Sequence, residues 1–172
     1  MSRRRRHPSL VPLSHDHREA LGLAFRLHHP APPGPVTAMT PASTAQSRAA
    51  ETLAFFAHHL VVHFQAEEDV LFPVLRTEPG VDAASRALCD QLEREHRELE
   101  RARDAVAAAG GDERALGTAL TTFADLLEAH VRREERELFE HFPGGLGRNA
   151  TDRLAEAIRA CLATRAAPGC SA

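Results

Sequence analysis

Lysine, tyrosine and tryptophan are all missing from this chain of 172 residues, so its 21 basic residues are all arginine. Without lysine there can be neither a P-loop nor a lysine Schiff base, and without tyrosine there is no tyrosyl radical. Cysteine is scarce. Cys89, Cys161 and Cys170 form no CxxC pair, and their odd number suits a reducing cytoplasm better than a disulfide scaffold. No long apolar run is present, so neither a signal peptide nor a membrane span is expected. A positive excess is lacking too. The net charge is −3, and residues 3–6, all arginine, sit in one short arm, which leaves the body more acidic still. One basic arm is no nucleic-acid recognition surface. The expectation is a cytoplasmic protein without membrane or nucleic-acid partners, its oligomeric state left open, with a homodimer among the options.

With 43% apolar residues the chain can bury one real core. Helical periodicity dominates, and no stretch alternates like a strand. Ser14 can cap a first helix that reaches about His29. Residues 30–41 hold five prolines and read as a linker. Ser43 or Thr44 opens a long second helix ending near Arg76, with Pro73 placed to kink or shorten it. Asp82 starts a third helix that stops at Gly110–Gly111. Asp112 starts a fourth, which stops before Pro143. A weaker fifth helix covers about 151–164. The fold class expected is all-α: an up-down-up-down four-helix bundle with a short extra C-terminal helix. Residues 1–12 are read as a flexible basic arm, 13–166 as the bundle and 167–172 as a loose tail.

Two frames repeat. "HFQAEEDVLF" from His63 returns sixty-seven residues later as "HVRREERELF" from His130, and "DHRE" from Asp16 returns as "EHRE" from Glu95. The chain is two helical hairpins of one design, a natural way to enclose something on a pseudo-twofold axis. Residues four apart share a helix face, and with 11 histidines and 16 glutamates in 172 residues chance predicts about one His-x-x-x-Glu pair, against the four that occur. The apolar stripe separates these. His63, with Leu60, Phe56 and Val70 at helical offsets and Leu71 one further on, faces the core, as does His130 with Leu127, Leu126 and Phe123. His17 rather than His15 is inward on the first helix. His96 lies on a stripe with Leu88, Leu92 and Leu99, whereas Glu100 is less secure.

Helical rise puts His63/Glu67, His96 and His130/Glu134 roughly 15 to 21 Å from one end of the bundle, a single layer at 1.5 Å per residue. His17 can join them if its helix starts partway up and the arm covers the gap. A satisfied core histidine is the commoner reading of any one of these. For four inward histidines and two inward carboxylates at one level it fails energetically, since an isolated buried carboxylate costs several kcal/mol unless paired or metal-bound. Imidazole and carboxylate without thiolate suit iron, manganese or zinc. Four nitrogens and two bridging carboxylates give about eight bonds, against about twelve for two octahedral ions. A shared oxo or hydroxo bridge fills two more and leaves about two positions open, which favours iron.

The residues that carry these arguments resemble the hemerythrin-like HHE cation-binding domain family: the "DH" of helix 1, "HFQAEEDVLFP" of helix 2, "EH" of helix 3 and "HVRREERELF" of helix 4. The resemblance spans about residues 13–142. It implies a four-helix bundle around two iron ions, with His17, His63, Glu67, His96, His130 and Glu134 as ligands and the two glutamates as bridges. It also implies a small ligand such as O2, NO or H2O2, handled as sensor, carrier or scavenger. A di-iron oxidoreductase, an enzyme of the iron–sulfur repair type or a structural or regulatory zinc bundle is the alternative. Oxygen-carrying members have one more histidine on helix 3, a turn after the first, where this chain has Glu100.

Other residues are weighed lower. His59, one turn before His63, is read as a core or rim histidine, with a ligand or second-shell role as the lesser option. Glu68 and Glu135, rotated away from their helix's histidine, are expected at the surface or in a second shell. His28, His29 and His141 suit helix C-termini, and Cys89 suits packing. Phe56, Phe64, Phe72, Phe123, Phe139 and Phe142 are expected to wall the site.

Overall fold

The structure is a computed structural model, and it describes residues 7–30, 44–140, 142 and 148–164. Residues 1–6 of the expected basic arm, most of the proline linker, His141, the turn at 143–145, the loose tail and Cys170 lie outside these, while residues 8–12 of that arm form a helical turn and the start of the first helix.

Among the described residues there is no strand. Four long helices and one shorter one make an up-down-up-down bundle with an extra C-terminal helix, as the periodicity predicts. Helix α1 is Val11–His28. Helix α2 is one continuous rod of Ala45–Phe55, Val61–Ala66 and Phe72–Thr77 in α form, joined by π turns at Phe56–Leu60 and Glu67–Leu71. Helix α3 is Ala83–Ala108. Helix α4 is Glu113–Arg133, continued as a π segment Glu134–Phe139. Helix α5 is Arg148–Leu162. Helix α4 packs against the other three long helices, and α3 also packs against α2. No helix among the described residues is long and apolar enough to cross a membrane.

The caps follow the sequence with one exception. Thr44, Asp82 and Asp112 accept hydrogen bonds from Ser47, Ser85 and Arg114/Ala115 backbone N–H groups respectively, satisfying first-turn donors. After α3, Gly110 takes φ +55°, a left-handed conformation that glycine adopts without a Cβ clash. Ser14 is not a cap. Helix α1 begins three residues earlier, at Val11 with Pro12 in its first turn, and the Ser14 hydroxyl donates to Glu135 Oε1 at 3.0 Å. Pro73 neither ends nor shortens α2. It stands in the first turn of that helix's last α segment, just past a π turn, where its missing N–H costs least.

The π turns change which side chains face inward. The Phe72 N–H bonds to Glu67 O, five residues back instead of four, and Glu140 N–H bonds likewise to Glu135 O. The extra residue in each turn slips the apolar stripe by one place. Leu71 is therefore fully buried while Val70 is only partly so, and on α4 Leu138 and Phe139 are buried while Glu137 is exposed. Both slips begin at the glutamate of a His-x-x-x-Glu pair.

The apolar interior falls into two clusters. One is built on Leu23, Leu27, Phe56, Leu99, Leu120 and Phe123, the other on Leu13, Leu71, Phe72, Leu92, Leu138 and Ile158. On α1 and α3 the inward histidine lies between the residues of the two clusters, and on α2 and α4 the His/Glu pair straddles the boundary between them. At about 1.5–3 kcal/mol for each fully buried Leu or Phe, these two cores hold the polar layer between them in place. The low end of α1 is closed by the turn Pro8–Leu10, with Leu10 fully buried, and by α5, which packs on that turn and on α2 through Leu154 and Ile158. The gap below His17 is thus filled by an ordered turn and the C-terminal helix together.

Candidate metal centre

All six expected residues meet in this layer. His17, His63 and His130 are each 2% exposed, and His96, Glu67 and Glu134 are fully buried. Their ligating atoms form two overlapping groups within 4.8 Å: His17, His63, Glu67 and Glu134 in one, Glu67, His96 and His130 in the other. Glu67 belongs to both. Its Oε1 lies 2.9 Å from His63 Nε2 and 3.9 Å from His17 Nε2, while its Oε2 lies 3.3 Å from His96 Nε2. Glu134 Oε2 lies 3.1 Å from His17 Nε2 and 3.7 Å from His130 Nε2. His17 and His63 bring their Nε2 atoms to 3.0 Å of each other.

These short distances are not a satisfied hydrogen-bond network. Both oxygens of Glu67, both of Glu134, and Nε2 of His96 and of His130 are buried without a partner of hydrogen-bonding geometry. Buried polar atoms in folded proteins are otherwise nearly always paired. Six orphaned donor atoms converging on one place fit a group that accepts lone pairs, which is what a cation does.

The other ring nitrogens are all engaged, each by a carboxylate. His17 Nδ1 is 2.7 Å from Glu135 Oε1, His63 Nδ1 3.1 Å from Asp16 Oδ2, His96 Nδ1 2.7 Å from Glu68 Oε1 and His130 Nδ1 3.1 Å from Glu95 Oε2. An ionised carboxylate only accepts, so each Nδ1 carries a proton and each Nε2 is the nitrogen left to face the centre, free to give its lone pair to a cation once any second proton is shed. The pattern follows the repeat. Asp16 and Glu95, each preceding an inward histidine, hold the His63 and His130 rings of the neighbouring helix in the same hairpin. Glu68 and Glu135, each following an inward glutamate, cross to the other hairpin and hold His96 and His17. Glu68 and Glu135, expected first of all at the surface, are instead partly buried against these rings. The spacing argument gives Asp16 and Glu95 no role, although the "DH" and "EH" pairs carry the signal for one.

The buried imidazoles and carboxylates of the layer shift one another's charges. Burial by itself depresses the His63 imidazole, but the Glu67 charge and the hydrogen bond to Asp16 outweigh it and push it up to about 10. Burial likewise depresses His96, and the Glu67 carboxylate beside it together with its hydrogen bond to Glu68 bring it up to about 9. Burial tends to raise Glu67, yet His63 and His96 hold it well below the usual carboxylate range. His17 goes the other way, since burial outweighs its contact with Glu134. Of the two rings whose Nε2 atoms face each other, His63 is thus the one that favours the charged form and His17 the one that disfavours it.

The metal-free protein should respond to pH accordingly. The raised His63 and His96 contribute stability that is complete below their ordinary 6.5 and is lost as pH rises through about 9 and 10. The depressed Glu67 contributes stability present above its ordinary 4.5 and lost on acidification. The lowered His17 subtracts stability below 6.5, which narrows the window from the acid side. Melting of chelator-treated protein across this range should show a maximum just below neutrality and a steady fall toward pH 10. Equal melting temperatures at pH 6 and pH 9 would contradict it.

Aromatic rings enclose the layer. Phe64 stacks on His96 with centroids 3.9 Å apart and meets His130 edge-on at 5.9 Å, Phe72 stacks on His96 at 6.0 Å, and Phe139 stacks on His17 at 5.2 Å. Phe56 and Phe123 stand behind Phe64, whereas Phe142 packs against His7 away from the cluster. Beside His17, His63 and His130 is a cavity of about 10 Å³, walled by Leu60, Phe64, Leu127 and Val131, which admits one molecule of about water size. His59 is at its rim, half-exposed, stacked on Phe55 with centroids 4.8 Å apart and 3.4 Å from Glu19. It does not join the six. Glu100 turns outward to Arg97 at 2.7 Å, and His15 is exposed. His28 faces Asp125 and Glu128, and His29 stacks on Phe25. Burial pushes the Cys89 thiol up to about 11, which suits packing and not nucleophilic chemistry.

A helical bundle whose two apolar cores sandwich a buried His/Glu cluster, every imidazole braced by a carboxylate, is the architecture of a cation-binding bundle. The hemerythrin HHE cation-binding domain matches residues 10–142, and the chain belongs to that family. No curated protein and no solved structure matches the chain.

Proposed function

We propose that this is a cytoplasmic non-haem di-iron protein that takes a small diatomic or peroxide ligand (O2, NO or H2O2) as sensor, carrier or scavenger. The observation that carries the reading is the division of Glu67, one oxygen toward His17 and His63 and the other toward His96. A carboxylate so placed would hold two ions, and Glu134, whose Oε2 faces both His17 and His130, would assist it from the other hairpin. His17, His63, Glu67, His96, His130 and Glu134 are the proposed ligands. Two inner and four outer carboxylates around four imidazoles match two multivalent cations better than one. Iron bound there supplies one-electron chemistry and open positions for a small ligand.

The protein's own part is to hold the imidazoles with their Nε2 atoms inward and to keep bulk water out with the phenylalanine wall. The adjacent cavity limits the visitor to a molecule of a few atoms. That size weighs against the alternative of an oxidoreductase acting on an organic substrate. Protein purified without added metal should contain iron, and zinc in its place would favour the structural-bundle alternative.

Because Glu100 is turned away to Arg97, no further donor from α3 completes the set. The reduced iron protein exposed to air should therefore oxidise to the diferric form, with new near-ultraviolet charge-transfer absorption. An oxygen complex that releases O2 under vacuum and restores the reduced spectrum would contradict this and favour a carrier.

A further inference from the structure

Two of the four carboxylates that brace the imidazoles are themselves divided between a ring and a guanidinium. Glu68 gives Oε1 to His96 Nδ1 at 2.7 Å and Oε2 to Arg97 Nη2. Glu95 gives Oε2 to His130 Nδ1 at 3.1 Å and Oε1 to Arg133 Nη1, with Gln91 Nε2 also donating to Oε1 at 3.1 Å. Both chains run guanidinium–carboxylate–imidazole toward the centre, and they end on the two histidines, His96 and His130, whose Nε2 atoms are buried without a partner. Arg97 is half-exposed and Arg133 about one-third exposed. As surface ion pairs alone they would contribute little, yet each is tied to a carboxylate that touches a buried ring.

We infer that Arg97 and Arg133 are positioning residues that set the electron-donating strength of His96 and His130, and through them the reduction potential of the centre. The inference rests on the di-iron reading above. A carboxylate that accepts from an imidazole N–H makes the ring a stronger donor. A guanidinium on the carboxylate's second oxygen draws negative charge away from that hydrogen bond and so weakens the donor again. It also fixes the carboxylate's rotation, and with it the ring's. Removing the guanidinium returns charge to the imidazole, and a stronger nitrogen donor favours the ferric over the ferrous ion. The potential should fall.

The test uses the full-length iron-loaded protein and its Arg97→Met, Arg133→Met, Arg97→Lys and Arg133→Lys variants, in potentiometric titration followed in the near ultraviolet. Arg132→Met is the control, since Arg132 neighbours Arg133 on α4 but pairs with Glu128, which faces His28 and not the cluster. Each methionine variant should favour the ferric state by about tenfold, about 59 mV per electron, the low end of what outer-sphere changes do. Each lysine variant should restore most of the potential, and the control should match wild type. Where a methionine variant loads iron poorly, Arg97→Gln and Arg133→Gln keep a donor without the charge and should show the same direction of shift. Unchanged potentials with normal iron content would overturn the inference while leaving the di-iron reading intact, as would lysine variants no better than methionine. Faster release of iron to a chelator at an unchanged potential would reduce both arginines to structural props. A wild type that takes up no iron would remove the di-iron reading, and the inference with it.

Discussion

Replacing Glu67 and Glu134 together by alanine should leave the protein with almost no iron, while His15→Ala should leave the content at the wild-type level. His15 shares the His-x-x-x-Glu spacing with Glu19 but is exposed, whereas both glutamates are fully buried between the ring pairs. Each single change at His63, Glu67, His130 or Glu134 should already lower the iron content sharply. Each removes a donor and leaves the others arranged around too few bonds, and metal sites lose affinity steeply with ligand number and geometry. Elemental analysis of the purified variants measures this directly. Normal iron in the Glu67→Ala/Glu134→Ala double variant would end the ligand assignment, because among the described residues no other carboxylate joins the cluster's two overlapping groups.

Removal of the metal should lower the melting temperature by roughly 10 °C. Free metal about a thousandfold above its dissociation constant adds ~4 kcal/mol of stability by linkage. For a domain of this size each kcal/mol moves the midpoint by about 2–4 °C. The structural reason for a large effect is the set of orphaned carboxylate and imidazole atoms between the two apolar cores. Without a cation these are satisfied only by retained protons on His63 and His96, and binding must expel those protons. The gap between metal-bound and metal-free protein should therefore widen from pH 6 to pH 9, since the protons that substitute for metal become harder to keep. Scanning calorimetry with and without chelator at the two pH values measures both effects. Coincident transitions would mean that no cation organises this layer.

The amino-acid sequence by itself determined most of the bundle and the identity of the inward residues. A single helix has a definite period, so the stripe through Leu60, His63 and Phe56 or through Leu88, Leu92 and His96 identifies the buried face without knowledge of its neighbours. The choice of His17 over His15 needs nothing more. Rise per residue then puts the six at one level, and the repeat of the two frames reveals the pseudo-twofold design. Three things were decided only by tertiary structure. The crossing of Glu68 and Glu135 to the opposite hairpin depends on how the helices are rotated against one another. A periodicity confined to one helix reports only that these residues lie about 100° from their neighbours, which on an isolated helix reads as surface. The π turns at Glu67 and Glu134 slip the stripe so that Leu71 and Leu138 point inward. A local widening of this kind is stabilised by packing on both sides and leaves no mark in residue spacing beyond the paired Leu-Phe. The closure beneath His17 by the turn Pro8–Leu10 and by α5 joins segments from the two ends of the chain, and only the assembled core brings them together.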